Sequence, residues 1–263
     1  MSTAALQVST QANVTTLCLH RPHKCNALDG PLVQLLREAF FTASRDPETQ
    51  IVVLRGEGEH FCAGADLAWM QHLAGSSFEQ CQEDARNLAS LLYQMYSFPK
   101  PLIALAHGST LGGGLGLLAC ADLVLAAEGA SFCFSEVKLG LVPAVVSPYV
   151  LAAMGEKAAR YYFLTAERFG LAEALRFGLV QKVVPAADLA TAGRNVSQTL
   201  LGHSPAALVE VKHLLSFVSN QEISLELSEK TAESFAKMRV SPQAQEGLQA
   251  FLEKRPPQWE KFP

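Results

Sequence analysis

The sequence predicts an α/β fold with a helical tail, on three observations. Short apolar runs of strand character alternate with helical spacing up to about Pro148. Beyond that point the pattern is mainly helical and is broken only by VQKVVP. The chain has 263 residues, 49% of them hydrophobic, enough for a large core. The expected division is residues 1–204 as the α/β core and 205–263 as a helical segment.

Each element has its own signal. LQVST and VTTLCLHRP read as two strands around a polar turn. Asp29 and Pro31 open a helix over PLVQLLREAFFTASRD, where the apolar positions follow the helical period. IVVLRGEG is a strand ending in glycine. Ser76 and Glu79 have capping-box spacing ahead of a helix running through Gln94. PLIALAHG is a buried strand, a short helix follows the next glycines, and SFCFSEV reads as a further strand.

Composition removes several classes of function. The net charge is −4 with a pI near 6.0, whereas nonspecific nucleic-acid binding needs a basic face. The six cysteines form no CxxC pair and read as reduced core thiols. The opening MSTAALQVSTQANV has neither the basic–apolar order of a secretory signal nor the arginines of a transit peptide, so a cytoplasmic location is expected. Pro101 to Ala121 has no Asp, Glu, Lys or Arg over a length that could cross a bilayer. Its prolines, its central glycines and the Asp122 that follows oppose a membrane span.

The common site motifs are absent: no GxGxxG after a strand, no GxxxxGK[ST], HExxH or GxSxG, and no metal spacing among the histidines. His107 and His213 read as packed or solvated side chains. Two glycine-bearing loops remain, HFCAGADLAWM (60–70) and GSTLGGGLGL (108–117), with Glu136 in SFCFSEVKLGLVPAVVSP. Taken singly, these are a turn, a helix N-cap at Asp66 and a solvated glutamate. Together they have a chemical logic. Each loop exposes backbone N–H groups where glycine keeps side chains out of the way, and two converging N–H groups form an oxyanion hole.

These motifs, with the NAL of RPHKCNALDG, ACADLVLAAEGASF, LTAERFGLAEALRFGLVQKVVP and the closing EGLQAFLEKRPPQW, are in the order of the crotonase (enoyl-CoA hydratase/isomerase) superfamily, which the whole chain resembles. The resemblance implies a spiral of ββα turns, a C-terminal trimerisation segment, and a trimer or a hexamer built from two trimers. It implies an acyl-CoA thioester substrate, with coenzyme A as part of the substrate and no separate cofactor, metal, nucleic acid or membrane. By position it puts the oxyanion donors on Ala65 and Gly113 and the second catalytic glutamate on Glu136. Coenzyme A contacts fall on His20, Arg21, Lys24, Ala63, Asp66 and Leu67, with Phe251 and Lys254 reaching a neighbouring subunit's site.

The position of the superfamily's first catalytic glutamate is Gly116, a departure. The missing side chain is expected to leave room across from Glu136. SFCFSEVKLGLVPAVVSPYVLAAMG and YFLTAERF resemble bacterial hydratases of 3-methylglutaconyl-CoA and isohexenylglutaconyl-CoA, in leucine and acyclic terpene breakdown. The room at Gly116 is expected to take a branched acyl group. The alternatives are an enoyl-CoA isomerase working with one glutamate, or a catalytically silent CoA- or RNA-binding relative.

Overall fold

The computed structural model describes residues 4–219 and 221–259. One six-stranded sheet organises the chain, in the order β1-β2-β3-β4-β6-β8. Its strands are β1 (Leu6–Gln11), β2 (Val14–Leu19), β3 (Ile51–Gly56), β4 (Leu102–Ala106), β6 (Leu123–Ala127) and β8 (Lys182–Val184). β1 pairs antiparallel with β2 and every other pairing is parallel. A second sheet of two parallel strands, β5 (Ser109–Leu111) and β7 (Ser131–Cys133), stands beside it.

The strand period sorts the core into two layers. Val52, Leu54, Leu102, Ala104 and Ala106 face the large cluster, with Leu36 and Phe40 of α1 (Gly30–Arg45), Leu91 and Leu92 of α3 (Phe78–Tyr96), and Leu115 of α4 (Gly113–Ala119). Ile51, Val53, Ile103 and Leu105 face the other side, under α8 (Leu189–Leu201). The remaining helices are α2 (Leu67–Leu73), α5 (Ser147–Met154), α6 (Glu156–Thr165), α7 (Leu171–Arg176), α9 (Pro205–Val218), α10 (Leu225–Arg239) and α11 (Pro242–Leu252).

Helix starts follow their caps. Asp29 Oδ1 accepts from Leu32 N at 2.9 Å, and Pro31 sits in the first turn, as its fixed φ allows. The capping box of α3 lies one residue beyond the expected pair. Ser77, in extended conformation, accepts from Gln80 N, and Gln80 Oε1 accepts from Ser77 N at 2.9 Å. Both pairs have the required spacing; Ser77 is the one with extended backbone at the helix entry. SFCFSEV is likewise only partly a strand. β7 ends at Cys133, and Glu136 begins a 3-10 turn, Glu136–Leu139, closed by Gly140 in the left-handed region.

A partly buried cation helps tie the C-terminal helices to the core. Lys212 on α9 bonds to Asp122 Oδ2 at 2.6 Å and to the Lys100 carbonyl at 2.9 Å. They leave large apolar side chains in solvent, including Leu225 (88% exposed) and Phe251 (82%). No helix among the described residues is long and apolar enough to cross a membrane. Four of the six free cysteines, Cys18, Cys62, Cys120 and Cys133, are buried. His107 packs against the Gly58 carbonyl at 3.0 Å, and the exposed His213 pairs with Glu210.

Glycine sets the closest approach in the fold. A Cβ on Gly114 would lie 2.7 Å from the Cys62 carbonyl oxygen and 2.9 Å from its Cβ, so α4 packs on the Phe61–Ala63 segment backbone to backbone. Gly114→Ala should therefore lower stability by about 1–3 kcal/mol, the usual cost of overpacking. Gly75→Ala, with nothing within 4 Å, should stay within about 0.5 kcal/mol of the parent by denaturant unfolding. Equal effects at the two sites would contradict this packing.

Candidate active site

The first loop is fixed by bonds on either side of one residue. Cys62 is buried and its carbonyl accepts from Leu111 N at 2.9 Å. Ala63 N donates to Cys25 O at 2.9 Å, Leu28 N to Gly64 O at 2.7 Å, and Asp66 N to Leu28 O at 2.8 Å. The Ala65 N–H, between these bonded groups, has no acceptor among the described residues. Asp66 caps α2, with Oδ1 accepting from Ala68 N at 2.8 Å and from Trp69 N.

The second loop presents a matching donor. Gly112 adopts φ +45° and gives its N–H to Cys133 O at 3.0 Å. Gly113 opens α4, where a first-turn N–H has no intrahelical partner, and its N–H is unclaimed among the described residues. The two loops touch. A Cβ on Gly64, at φ +83°, would lie 2.8 Å from Leu111 O and 3.5 Å from Gly113 N. Any side chain at residue 64 would push the two donors apart.

Glu136 lies against the same point. A Cβ on Gly112 would come within 2.8 Å of Glu136 Oε1, so the glycine makes room for the carboxyl group. Glu136 Oε2 is buried without a hydrogen-bond partner. Burial raises the Glu136 pKa above its ordinary value, opposed only by a bond from its own backbone N–H. This suits a carboxylate that takes a proton and returns it.

Ala65, Met70, Gly113 and Glu136 line both of two adjoining cavities, so the donors and the carboxyl group stand at their junction. The larger, about 580 Å³, runs out past Lys24, Ala63, Asp66, Leu67 and the apolar Leu139 and Leu141. The smaller, about 200 Å³, is walled by Val33, Trp69, Leu73, Leu88 and the Val142–Val146 segment, with Asp29 and Asp84. A carbonyl oxygen at the junction would meet two N–H groups, with one arm of the molecule in each cavity. Among the described residues no cluster suits a metal ion.

Several expected residues have other duties. Gly116 is buried in α4 and lines neither cavity. A Cβ there would lie 2.5 Å from Val146 Cγ1 and 3.2 Å from Leu92 Cδ1, so the room expected beside it is filled by Val146. Arg21 is buried and engaged: it bonds to Ala27 O and pairs with Asp66 Oδ2 at 2.9 Å and Asp29 Oδ2 at 2.8 Å. It holds the loop in place and has no charge to spare for a phosphate. Asp66 is the centre of that network. Burial alone would raise its pKa, yet bonds from Lys24, Trp69 N, Ala68 N and Arg21 hold it down at about 2. Ala63 has given its N–H to Cys25, and His20 lines neither cavity. Lys24 is the cation of LHRPHK that reaches the larger cavity, while still paired with Asp66. Phe251 and Lys254 line neither cavity of their own chain.

Sequence reasoning missed the wall of the smaller cavity. Trp69, Asp84 and Val146 lie on segments far apart in sequence, and only the fold brings them together. The signal for Val146 was its run, VPAVV, too apolar for an exposed turn.

Comparisons with known proteins give the family. Residues 9–262 match the family model for enoyl-CoA hydratase/isomerase, and the chain belongs to that family. The chain is similar to the solved structure of an enoyl-CoA hydratase from Shewanella pealeana, with 43% identity, a TM-score of 0.94 and coverage of 97% of this chain and 96% of that one. It is similar to Pseudomonas aeruginosa AtuE, at 33% identity, TM-score 0.92 and coverage of 97% and 99%. A carnitinyl-CoA dehydratase from Proteus mirabilis is 30% identical over 262 residues, 97% of this chain and 98% of that protein.

The packing at Gly116 is testable by a mutant cycle. Gly→Ala inside a helix normally gains up to about 1 kcal/mol. Here the contact with Val146 should reverse the sign, and Gly116→Ala should destabilise. In a Val146→Ala background, where the clashing methyls are gone, Gly116→Ala should be neutral or stabilising, a coupling of about 1 kcal/mol or more by denaturant unfolding. Additive effects would contradict the filled-space reading.

Proposed function

We propose that this enoyl-CoA hydratase/isomerase family member adds water across the 2,3-double bond of an acyl-CoA thioester. The observation that carries the reading is the convergence of the unclaimed Ala65 and Gly113 N–H groups with the partly buried Glu136 at the junction of two cavities. The thioester oxygen would accept from both N–H groups, which stabilise the enolate as charge develops. One such donor is typically worth about 10²–10³ in rate. Glu136 would take a proton from water as the oxygen bonds to C3, and return a proton to C2.

The coenzyme A arm fits the larger cavity, with Lys24 as the cation nearest its phosphates. The reading needs no cofactor beyond the coenzyme A of the substrate. A branched glutaconyl thioester is the acyl group we favour, and it rests on the likeness of the Glu136 segment and of YFLTAERF. The room once expected at Gly116 is occupied by Val146 and lends it no support. The same filled position favours a second reading, an enoyl-CoA isomerase in which Glu136 shuttles a proton without a bound water. A third contribution is proposed from assembly. The apolar surface left exposed on α9 to α11 fits a trimer or a dimer of trimers, with Phe251 and Lys254 near a neighbour's coenzyme A cavity.

Three assays run together test this reading: loss of enoyl absorbance with crotonyl-, 3-methylglutaconyl- and isohexenylglutaconyl-CoA. Hydration is expected, fastest with a branched glutaconyl thioester; a gain of conjugation from a 3-enoyl-CoA with no hydration would favour the isomerase. Glu136→Gln should reduce turnover by about a hundredfold or more. The same change should stabilise the fold at neutral pH. A carboxyl whose folded pKa is raised weakens the fold as pH rises above its unfolded value, and Gln removes that cost. The gain should vanish below about pH 4, where Glu136 is protonated folded and unfolded. A Gln variant with more than about a tenth of parental turnover would contradict the proton-transfer role. Sedimentation at micromolar concentration should show a trimer or hexamer, and a monomer would contradict the assembly.

A further inference from the structure

The reading above leaves the attacking water with one carboxylate, and the smaller cavity holds a candidate for the second. Four carboxylates line the two cavities: Asp29, Asp66, Asp84 and Glu136. Asp66 is consumed by its helix cap, Arg21 and Lys24. Asp29 is consumed by Leu32 N and by Arg21. Asp84 and Glu136 are the two left with a carboxylate oxygen that no described residue engages.

Asp84 is also held in place. Trp69 Nε1 donates to Asp84 Oδ1 at 2.9 Å, from α2 across to α3. The indole is seated over Gly30, where a Cβ would lie 2.5 Å from Trp69 Cζ2, so three elements fix the ring that fixes the carboxylate. One turn further along α3, Leu88 lines the same cavity, so Asp84 lies on the face of α3 turned toward it.

We propose that Asp84, aimed by Trp69, is the second carboxylate of the hydration site and does from α3 what a glutamate at position 116 would do from α4. The inference rests on the hydratase reading. One hydrogen of the attacking water bonds to Asp84 Oδ2 and the other to Glu136. The water oxygen bonds to C3, the C2–C3 π pair becomes the C1–C2 π bond of an enolate while the carbonyl π pair moves onto the thioester oxygen, and Glu136 takes one proton from the water and delivers a proton to C2 as the carbonyl re-forms. Asp84 stays ionised throughout, and Trp69 is a positioning residue.

Asp84→Asn is the discriminating variant, because its amide oxygen can still accept from Trp69 Nε1 and keep the helices paired. Two rates are measured: hydration of whichever of the three enoyl thioesters the parent hydrates best, and solvent-deuterium incorporation at C2 of butyryl-CoA. The second needs the oxyanion donors and Glu136 and no attacking water. Asp84→Asn should lower kcat for hydration by about a hundredfold, leave KM nearly unchanged, and lower the ratio of hydration to exchange by a similar factor. Trp69→Phe should lower the same ratio by less. Glu136→Gln should lose both rates. Parental hydration by Asp84→Asn would make the Trp69–Asp84 bond a structural clamp and overturn the inference alone. Equal loss of both rates, with a lowered melting temperature, would overturn it as well. A parent that exchanges C2 protons and hydrates none of the thioesters would overturn the hydratase reading, and this inference with it.

Discussion

The site depends on two backbone loops lying closer together than side chains allow. A Cβ on Gly64 would lie 2.8 Å from Leu111 O and 3.5 Å from Gly113 N, and one on Gly114 would lie 2.7 Å from Cys62 O. Those contacts bring the Ala65 and Gly113 N–H groups to one point, from segments separated by β4 and α3. Ordering glycines is entropically unfavourable, by roughly 0.5–1 kcal/mol each relative to alanine. The large two-layer core around the parallel sheet offsets that cost. The triglycine thus divides its labour: Gly112 makes the turn and the room for Glu136, Gly113 supplies the donor, and Gly114 permits the approach.

Charge is managed around that point with economy. The Arg21–Asp29–Asp66–Lys24 network locks the first loop to the start of α1 and to α2. It makes a brace of Arg21, Asp29 and Asp66 and leaves Lys24 exposed at its edge. Glu136 has no cation partner among the described residues, so nothing opposes the rise in its pKa that burial causes except its own backbone N–H. A carboxylate paired like Asp66 would be too weak a base for the proton transfer proposed for Glu136, so that proposal needs the braced and unbraced acids kept apart.

Much of this was legible in the sequence, and the failures have a common cause. The buried strands, the Asp29 and Asp66 caps and both donor loops are written in local spacing. Glu136 follows from the ordered motifs. Side-chain partnerships across the fold are not local: Arg21 meets Asp66 forty-five positions away and Trp69 meets Asp84 fifteen away. Nothing in the local spacing around Asp84 marks the indole of α2 that bonds it. The absent side chain at Gly116 suggested open space, and only the packed structure shows Val146 occupying it. The Ser76–Glu79 pair failed because two capping boxes overlap by one residue, and the register of the helix entry decides between them.

The claim on which the rest stands is that Ala65 and Gly113 polarise a thioester carbonyl. Difference infrared spectroscopy of an enoyl-CoA carrying ¹³C at C1, bound to the Glu136→Gln protein, isolates that carbonyl stretch from protein bands. Two converging donors should weaken the C=O bond, so the band should move to lower frequency than in water. A band at or above its solution frequency, with the thioester demonstrably bound, would contradict the account.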